Sequence, residues 1–288
     1  METLNKNILI PVDFGEPSLT AISHAYNLAK INKYTLILLY VFEESGFLTG
    51  LFPDSQKEEL ISKVKIKLDK LADDISKDTG LTVQTMVRKG RIYSEILEVA
   101  DEINARYIIM GVASKFFEDP TEKRIVGANA SKVIRAAKCP VLTVNSRNNY
   151  KGCRSILLPL DLTQETRQKV KYAVDIAKAY NASIKTISVI WDVDDKEIRW
   201  KMNIIVNQVK NFIISEGIKC TTEIIDIEDS KLCVDTIIDY AHKEGDIDLI
   251  VIMTQDETGF IEYFVGSKAQ EIIRKADIPV MSITPKEF

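Results

Sequence analysis

Two aspartates stand at matching places in this chain. Asp13 ends the run Ile8-Leu9-Ile10-Pro11-Val12-Asp13, and Asp161 ends Ile156-Leu157-Leu158-Pro159-Leu160-Asp161. An apolar run closed by Pro and an acid reads as a buried parallel strand that delivers a carboxylate to a sheet edge. Such an acid can meet a ligand at the carboxyl ends of the strands, or cap the helix that follows. A second constellation lies further along each half. The first copy is Gly111-Val-Ala-Ser114, twelve residues, then Gly127-Ala128; the second is Met253-Thr-Gln-Asp256, nine residues, then Gly266-Ser267. In both, a strand, a loop, a helix and a final strand begun by Pro form the unit best placed to touch a ligand.

The elements that must position these residues come twice. An offset of 148 positions maps Ala25 to Ala173, Ala29 to Ala177, Lys30 to Lys178 and Val41 to Val189 without a gap. The first half opens with the strand ending at Asp13 and a helix for which Ser18 is the expected N-cap, with Ile22, Ala25, Leu28 and Ala29 on one face. The strand Thr35–Val41 follows, almost continuously apolar and therefore covered on both sides. Glu43–Asp54 breaks the pattern, with Phe47, Leu48, Leu51 and Phe52 among glycines and Pro53; it reads as a loop folded over the core, or else as a partner-binding loop or an adaptable lid. Next come a helix over Gln56–Lys77, a strand over Leu81–Val87 punctuated by Gly90, a helix through Tyr93–Ala100, a strand Tyr107–Met110, a helix around Ser131–Ala137, and the last strand Val141–Val144.

Polar Asn145–Arg154, with Gly152, shows neither period and is the expected linker. The second half repeats the order, with strands at Thr222–Ile227, Leu249–Met253 and Val280–Ile283. The expected domains are 1–147 and 148–288. Each is β-α-β-α-β-α-β-α-β, which right-handed crossovers fold into a doubly wound, five-stranded parallel sheet with helices on both faces, an α/β fold of Rossmann-like type.

Composition excludes several classes. With 45% hydrophobic and 28% charged residues the chain is of ordinary globular make-up. No run approaches a membrane span, and no basic region leads into an apolar signal core, so a cytoplasmic location and no membrane partner are expected. The first half carries 20 basic against 19 acidic residues and the second 18 against 23, so no nucleic-acid partner is expected. Cysteines at 139, 153, 220 and 233 form no Cys-x-x-Cys, and His24 and His242 are the only histidines, which gives neither a metal site nor a disulfide framework. Cys139 and Cys233 fall in apolar patterns and read as core.

The Pro-x-Asp after strand one, the glycine loop and the repeat together resemble the universal stress protein family, of the wider adenine nucleotide α-hydrolase-like group. The likeness covers essentially the whole chain twice, as in a tandem member. The resemblance implies an ATP site in which the strand-one acid and a Val on strand two meet the nucleoside. A loop Gly-x-x-Gly, nine residues, Gly-Ser or Gly-Thr would meet the phosphates, with Mg²⁺ when ATP binds. Glycine lets backbone N–H groups approach phosphate, and a hydroxyl at a helix start adds a donor beside the positive dipole end.

Carried over by position, domain one keeps Asp13, Val41, Gly111 and Gly127, but Ser114 and Ala128 depart from the pattern and the loop is three residues longer. Domain two keeps Asp161, Val189, Gly266, Ser267 and the nine-residue spacing, but Met253 and Asp256 fill both leading glycine positions. A carboxylate about 5 Å from a phosphate charge costs roughly 3 kcal/mol at an effective dielectric near 20. The expectation is therefore weak or lost ATP binding, with domain two the better site, in a non-catalytic stress-response or signalling protein. The alternative is an ATP-binding switch with slow hydrolysis. An enzyme is not expected, because the Ser-Gly-Gly-x-Asp-Ser and His-x-Gly-His loops of the wider group are absent and two scattered histidines supply no acid–base pair. The resemblance further implies that the two domains form an intrachain pseudo-dimer through their last strands, with a homodimer and an unidentified protein partner as further expectations.

Overall fold

The computed structural model describes residues 6–43, 53–112, 126–145, 152–162, 166–191, 196–254 and 267–285. The chain divides into two compact units, Met1–Tyr150 and Lys151–Phe288. Unit 1 runs β1 (Asn7–Pro11), α1 (Glu16–Asn32), β2 (Thr35–Glu43), α2 (Asp54–Thr79), β3 (Val83–Gly90), α3 (Ile92–Glu102), β4 (Ala105–Gly111), α4 (Ala128–Ala136) and β5 (Val141–Val144). Unit 2 runs β6 (Ser155–Pro159), α5 (Thr166–Tyr180), β7 (Ser183–Ile190), α6 (Lys196–Ser215), β8 (Cys220–Asp226), α7 (Cys233–Glu244), β9 (Leu249–Met253), α8 (Ser267–Lys275) and β10 (Val280–Ile283), with a 3₁₀ turn at Ser230–Leu232 before α7.

Within unit 1 the strand order is β3-β2-β1-β4-β5, and within unit 2 it is β10-β9-β6-β7-β8. Every pairing inside a unit is parallel. Each chain half starts in the middle of its sheet, winds outward over three strands, then returns to the other side of its first strand. Right-handed crossovers put α1 and α2 on one face and α3 and α4 on the other, with α5 and α6 against α7 and α8 in unit 2. The packing of α3 on α4, α5 on α6 and α7 on α8 agrees. Both units are thus doubly wound α/β domains of Rossmann-like type.

Cover on both faces explains the unbroken apolar strands. Ile8, Leu9 and Ile10 have no exposed surface, and neither do Ile156, Leu157 and Leu158. The outer strands differ from their sequence expectation. β3 begins later than Leu81 and runs on to Gly90, because its ladder with β2 continues through Phe42↔Lys89 and Glu43↔Gly90. Backbone pairing does not require apolar side chains, and at a sheet edge Arg88 and Lys89 can face water. β8 likewise starts at Cys220 rather than Thr222, paired to Ile184. Of the expected linker, Asn145 is buried and Gly152 takes a positive φ of 89°; residues 146–151, like most of the Glu43–Asp54 loop, lie outside the described residues.

Two backbone details carry the repeat further than side chains do. Lys33 and Asn181, one repeat length apart, both follow a helix and both adopt φ 54°. Gly111 ends β4 against the first turn of α1, where an added Cβ would lie 2.3 Å from the Pro17 carbonyl carbon and 2.6 Å from Ser18 N. Backbone cannot yield there as a flexible side chain could, so only glycine fits.

Of the two cysteines expected in the core, Cys233 is buried, at the start of α7, whereas Cys139, beside the turn into β5, is half-buried, as are Cys153 and Cys220. Burial, and secondarily the charge of Asp248, pushes the Cys153 thiol up to about 12. Burial also raises Cys220, to about 11, against the opposing pull of Lys210.

Two measurements check these packing statements. Gly111→Ala should lower the urea stability of the protein by about 1–3 kcal/mol, the usual range for overpacking a filled site. Iodoacetamide at pH 8 should label Cys153 at least about a hundredfold more slowly in the native protein than in urea, since a thiol near that value is thiolate only in about one molecule in ten thousand; mass spectrometry of the labelled peptide reads it.

Candidate functional site

Each sheet reverses its winding beside its first strand, between β1 and β4 in unit 1 and between β6 and β9 in unit 2. Ligands of open α/β sheets bind at the carboxyl ends of the strands flanking such a switch. The last ladder bonds there are Val12 N to Leu39 O at 2.8 Å and Leu160 N to Ile187 O at 2.7 Å. Asp13 and Asp161 are the next residues, so both acids stand where backbone pairing stops.

In unit 1 the register of Pro11 with Leu39 puts Asp13 level with Val41, on the same face of the sheet. Asp13 does more than wait for a ligand. Its Oδ1 accepts from Gly15 N at 2.8 Å and from the Ser18 hydroxyl at 2.6 Å, tying the loop to the first turn of α1. Ser18 is not the N-cap expected from sequence. Gly15 holds that position, in extended conformation, and Ser18 lies inside the helix with its hydroxyl turned to Asp13 and to the Gly15 carbonyl. The turn between them puts Phe14 at φ 64°, a rare conformation for a bulky residue. Phe14 sits 5.8 Å from Tyr40, ring to ring, with the Lys67 ammonium 4.1 Å over its face.

The glycines of unit 1 divide. Gly111 is required by its contact with α1, so packing alone accounts for it. Gly127 is the N-cap of α4, and a Cβ added there would meet nothing within 4 Å. Among the described residues no packing demand explains glycine at that position. Ser114 and the acids of the intervening loop lie outside the described residues.

In unit 2, Asp161 is half-exposed and Val189 is level with it on the neighbouring strand. The Lys169 ammonium, on α5 and only 3% exposed, reaches Asp161 Oδ2 at 3.5 Å. Sequence reasoning passed over Lys169, although a comparison of the halves marks it, since Ala21 stands at its place in unit 1. Ser267 is the first residue of α8; Gly266 and Asp256 lie outside the described residues. Met253 is buried at the end of β9. The ladders align Ile156 with Leu249 and Leu157 with Ile250, which carries Asp161 level with Thr254 and sets Met253 on the opposite face. Strand parity therefore directs the buried Met253 side chain away from the face shared by Asp161 and Val189.

Two further residues come to this edge without a sequence motif to mark them. Trp191, directly after β7, is 46% exposed, and the Lys268 ammonium from α8 lies 4.2 Å over its ring. Among the described residues, no group of three His, Cys, Asp or Glu is placed to hold a metal, and no helix is long and apolar enough to cross a membrane. Among the described residues the edges offer hydrogen bonding, ammonium charge and helix N-termini, groups suited to anion recognition.

Comparison with known proteins agrees with the architecture. The sequence model of the universal stress protein family matches residues 4–145 and 223–283. A universal stress protein of Methanocaldococcus jannaschii is 33% identical over 146 residues, which is 50% of this chain and 84% of that one. One from Synechocystis is 30% identical over 143 residues, covering 48% and 85% respectively. The crystal structure of a universal stress protein from Archaeoglobus fulgidus aligns over 98% of this chain and 99% of its own, with TM-score 0.79 at 17% identity, a likeness of fold. With the motif order, the doubled sheet topology and the family match over most of its length, the chain belongs to the universal stress protein family.

Proposed function

We infer that the protein is a tandem, non-catalytic universal stress protein serving a stress-response or signalling role in the cytoplasm, with a weak ATP site in unit 2. The observation that carries this reading is that both strand-one acids are already engaged. Asp13 is bonded to Gly15 and Ser18, and Asp161 is paired with buried Lys169. A nucleoside must compete with these partners, which lowers net affinity by the cost of the bonds displaced. Unit 2 is favoured because it retains the Gly266-Ser267 pair and the nine-residue spacing, and because Lys169 offsets the Asp161 charge. Neither histidine stands at these edges to act as an acid or base: His24 is buried within α1, and His242 lies in the last turn of α7.

The two units are further proposed to associate as a pseudo-dimer within the chain. β5 and β10 each have one neighbour in their own sheet and are apolar, so an unpartnered outer edge would invite pairing. A homodimer of two chains and a separate protein partner are compatible with the same reading.

Nucleotide analysis of the purified protein, followed by calorimetric titration with ATP with and without Mg²⁺, tests the assignment. Expected are an affinity weaker than about 100 μM, or roughly −5.5 kcal/mol, no release of phosphate, and a larger loss on Ser267→Ala than on Asp13→Ala. Low-micromolar binding with turnover of ATP would replace this reading with a nucleotide-dependent switch. Ligand bound beside Asp13 and Gly127 would reverse the ranking of the units.

A further inference from the structure

Three residues at the carboxyl edge of unit 2 have no counterpart in unit 1 and no role in the family pattern. Lys268 is one. It is rooted in the first turn of α8, the helix that joins β9 to β10, yet its ammonium rests on Trp191 at the end of β7. In the sheet β6 lies between β9 and β7, so this contact joins elements on either side of the strand that leads to Asp161. Aligned on Gly127 and Gly266, the corresponding residue in unit 1 is Asn129.

Two buried polar groups face the same place. Thr254, directly after β9, is 1% exposed, and its hydroxyl finds no hydrogen-bond partner among the described residues. The ladder puts it level with Asp161 on the same face. A buried hydroxyl without a partner is a standing cost that a ligand or a water can remove. Lys169, 3% exposed, holds Asp161 only at 3.5 Å, a long contact for an ion pair. Its charge balances the acid, so an anion arriving at this edge meets no net repulsion from Asp161. The described groups sum to two ammonium charges and one carboxylate beside a helix N-terminus.

We propose that Lys268, swung off Trp191, holds a phosphate of a bound nucleotide in unit 2, and that Trp191 then packs against the ligand or reports its arrival. This rests on the reading of unit 2 as the nucleotide site. It adds a cationic phosphate contact that the glycine-loop pattern does not contain, at the position directly after Ser267. An ammonium over an indole is held weakly when exposed, about 0.5–1 kcal/mol, so a phosphate can draw it away.

The chain has two tryptophans, Trp191 and Trp200, the latter 64% exposed on α6. In the full-length Trp200→Phe variant, Trp191 is the only indole, and its emission is followed during titration with ATP, adenosine and inorganic tripolyphosphate. Equilibrium dialysis gives the affinities independently. Expected are a saturable change of Trp191 emission with ATP, and a loss of ATP affinity of about tenfold on adding Lys268→Gln, or about 1.4 kcal/mol. Lys268→Arg should restore most of it, and adenosine affinity should move less than about twofold. The Lys268 effect should shrink between about 0.05 and 0.5 M salt, as screening of an exposed charge requires. ATP bound equally by the Lys268→Gln variant and its parent overturns the subsite and leaves the nucleotide reading standing. No ATP bound in dialysis overturns both. Tripolyphosphate reproducing the whole Lys268-dependent signal supports the anion contact and identifies free polyphosphate as a sufficient ligand.

Discussion

A parallel sheet cannot turn back on itself with a tight loop. Each strand must hand the chain to a helix that returns over one face, so both faces become buried and the polar backbone ends collect along two edges. That requirement makes Ile8–Ile10 and Ile156–Leu158 uniformly apolar, and it sends ionised groups to strand ends, to outer strands, or to paired positions such as Lys185 of β7, which reaches Glu244 and Asp246. Asp13, Asp161 and the amino ends of α4 and α8 are brought to one edge of their sheets by connectivity alone. The reversal of winding beside β1 and β6 then parts the returning helices, and open α/β sheets as a class take their ligands at such a switch.

Within this shared frame the two units solve the same local problem differently. Ending a strand on an acid leaves a carboxylate that needs hydrogen bonds or a countercharge. Unit 1 answers with neutral donors, Gly15 N and the Ser18 hydroxyl, and accepts a strained Phe14 to make the turn. Unit 2 answers with Lys169, brought up from the helix into a position where unit 1 has Ala21. The first solution makes the acid part of the helix start. The second leaves a paired but longer contact, with more charge available to an incoming anion. Duplication has kept the geometry and let the electrostatics diverge.

The fold was legible because it rests on patterns of long range and high redundancy: two apolar strand sets in the same order, with helices of matching period between them. The family match and the sheet topology bear out that reading. Strand ends on the outside of the sheets were less legible, since pairing through Arg88 and Lys89 is a backbone matter that side-chain polarity does not report. Of the candidate site, only the relative placement of its acids and valines could be read in advance, because a ladder fixes it. Gly111 reads as a phosphate-loop glycine in sequence, yet its neighbours are Pro17 and Ser18, distant in sequence and visible only once α1 lies on β4. Met253 reads as an obstruction, yet strand parity sends it to the other face. Lys169, Trp191 and Lys268 belong to no motif, because their meaning comes from crossing between strands that are not sequence neighbours.

Lys33 and Asn181 show what a repeated backbone asks of its residues. Both sit in the left-handed region, where a side chain costs about 1–2 kcal/mol relative to the right-handed helix and glycine is the least strained choice. Neither copy has glycine, and the two copies differ from each other. The turn is the same in both halves although its occupants differ in size and charge. Such positions are neutral ground, where the lineage of the two halves can diverge in sequence without any change of shape.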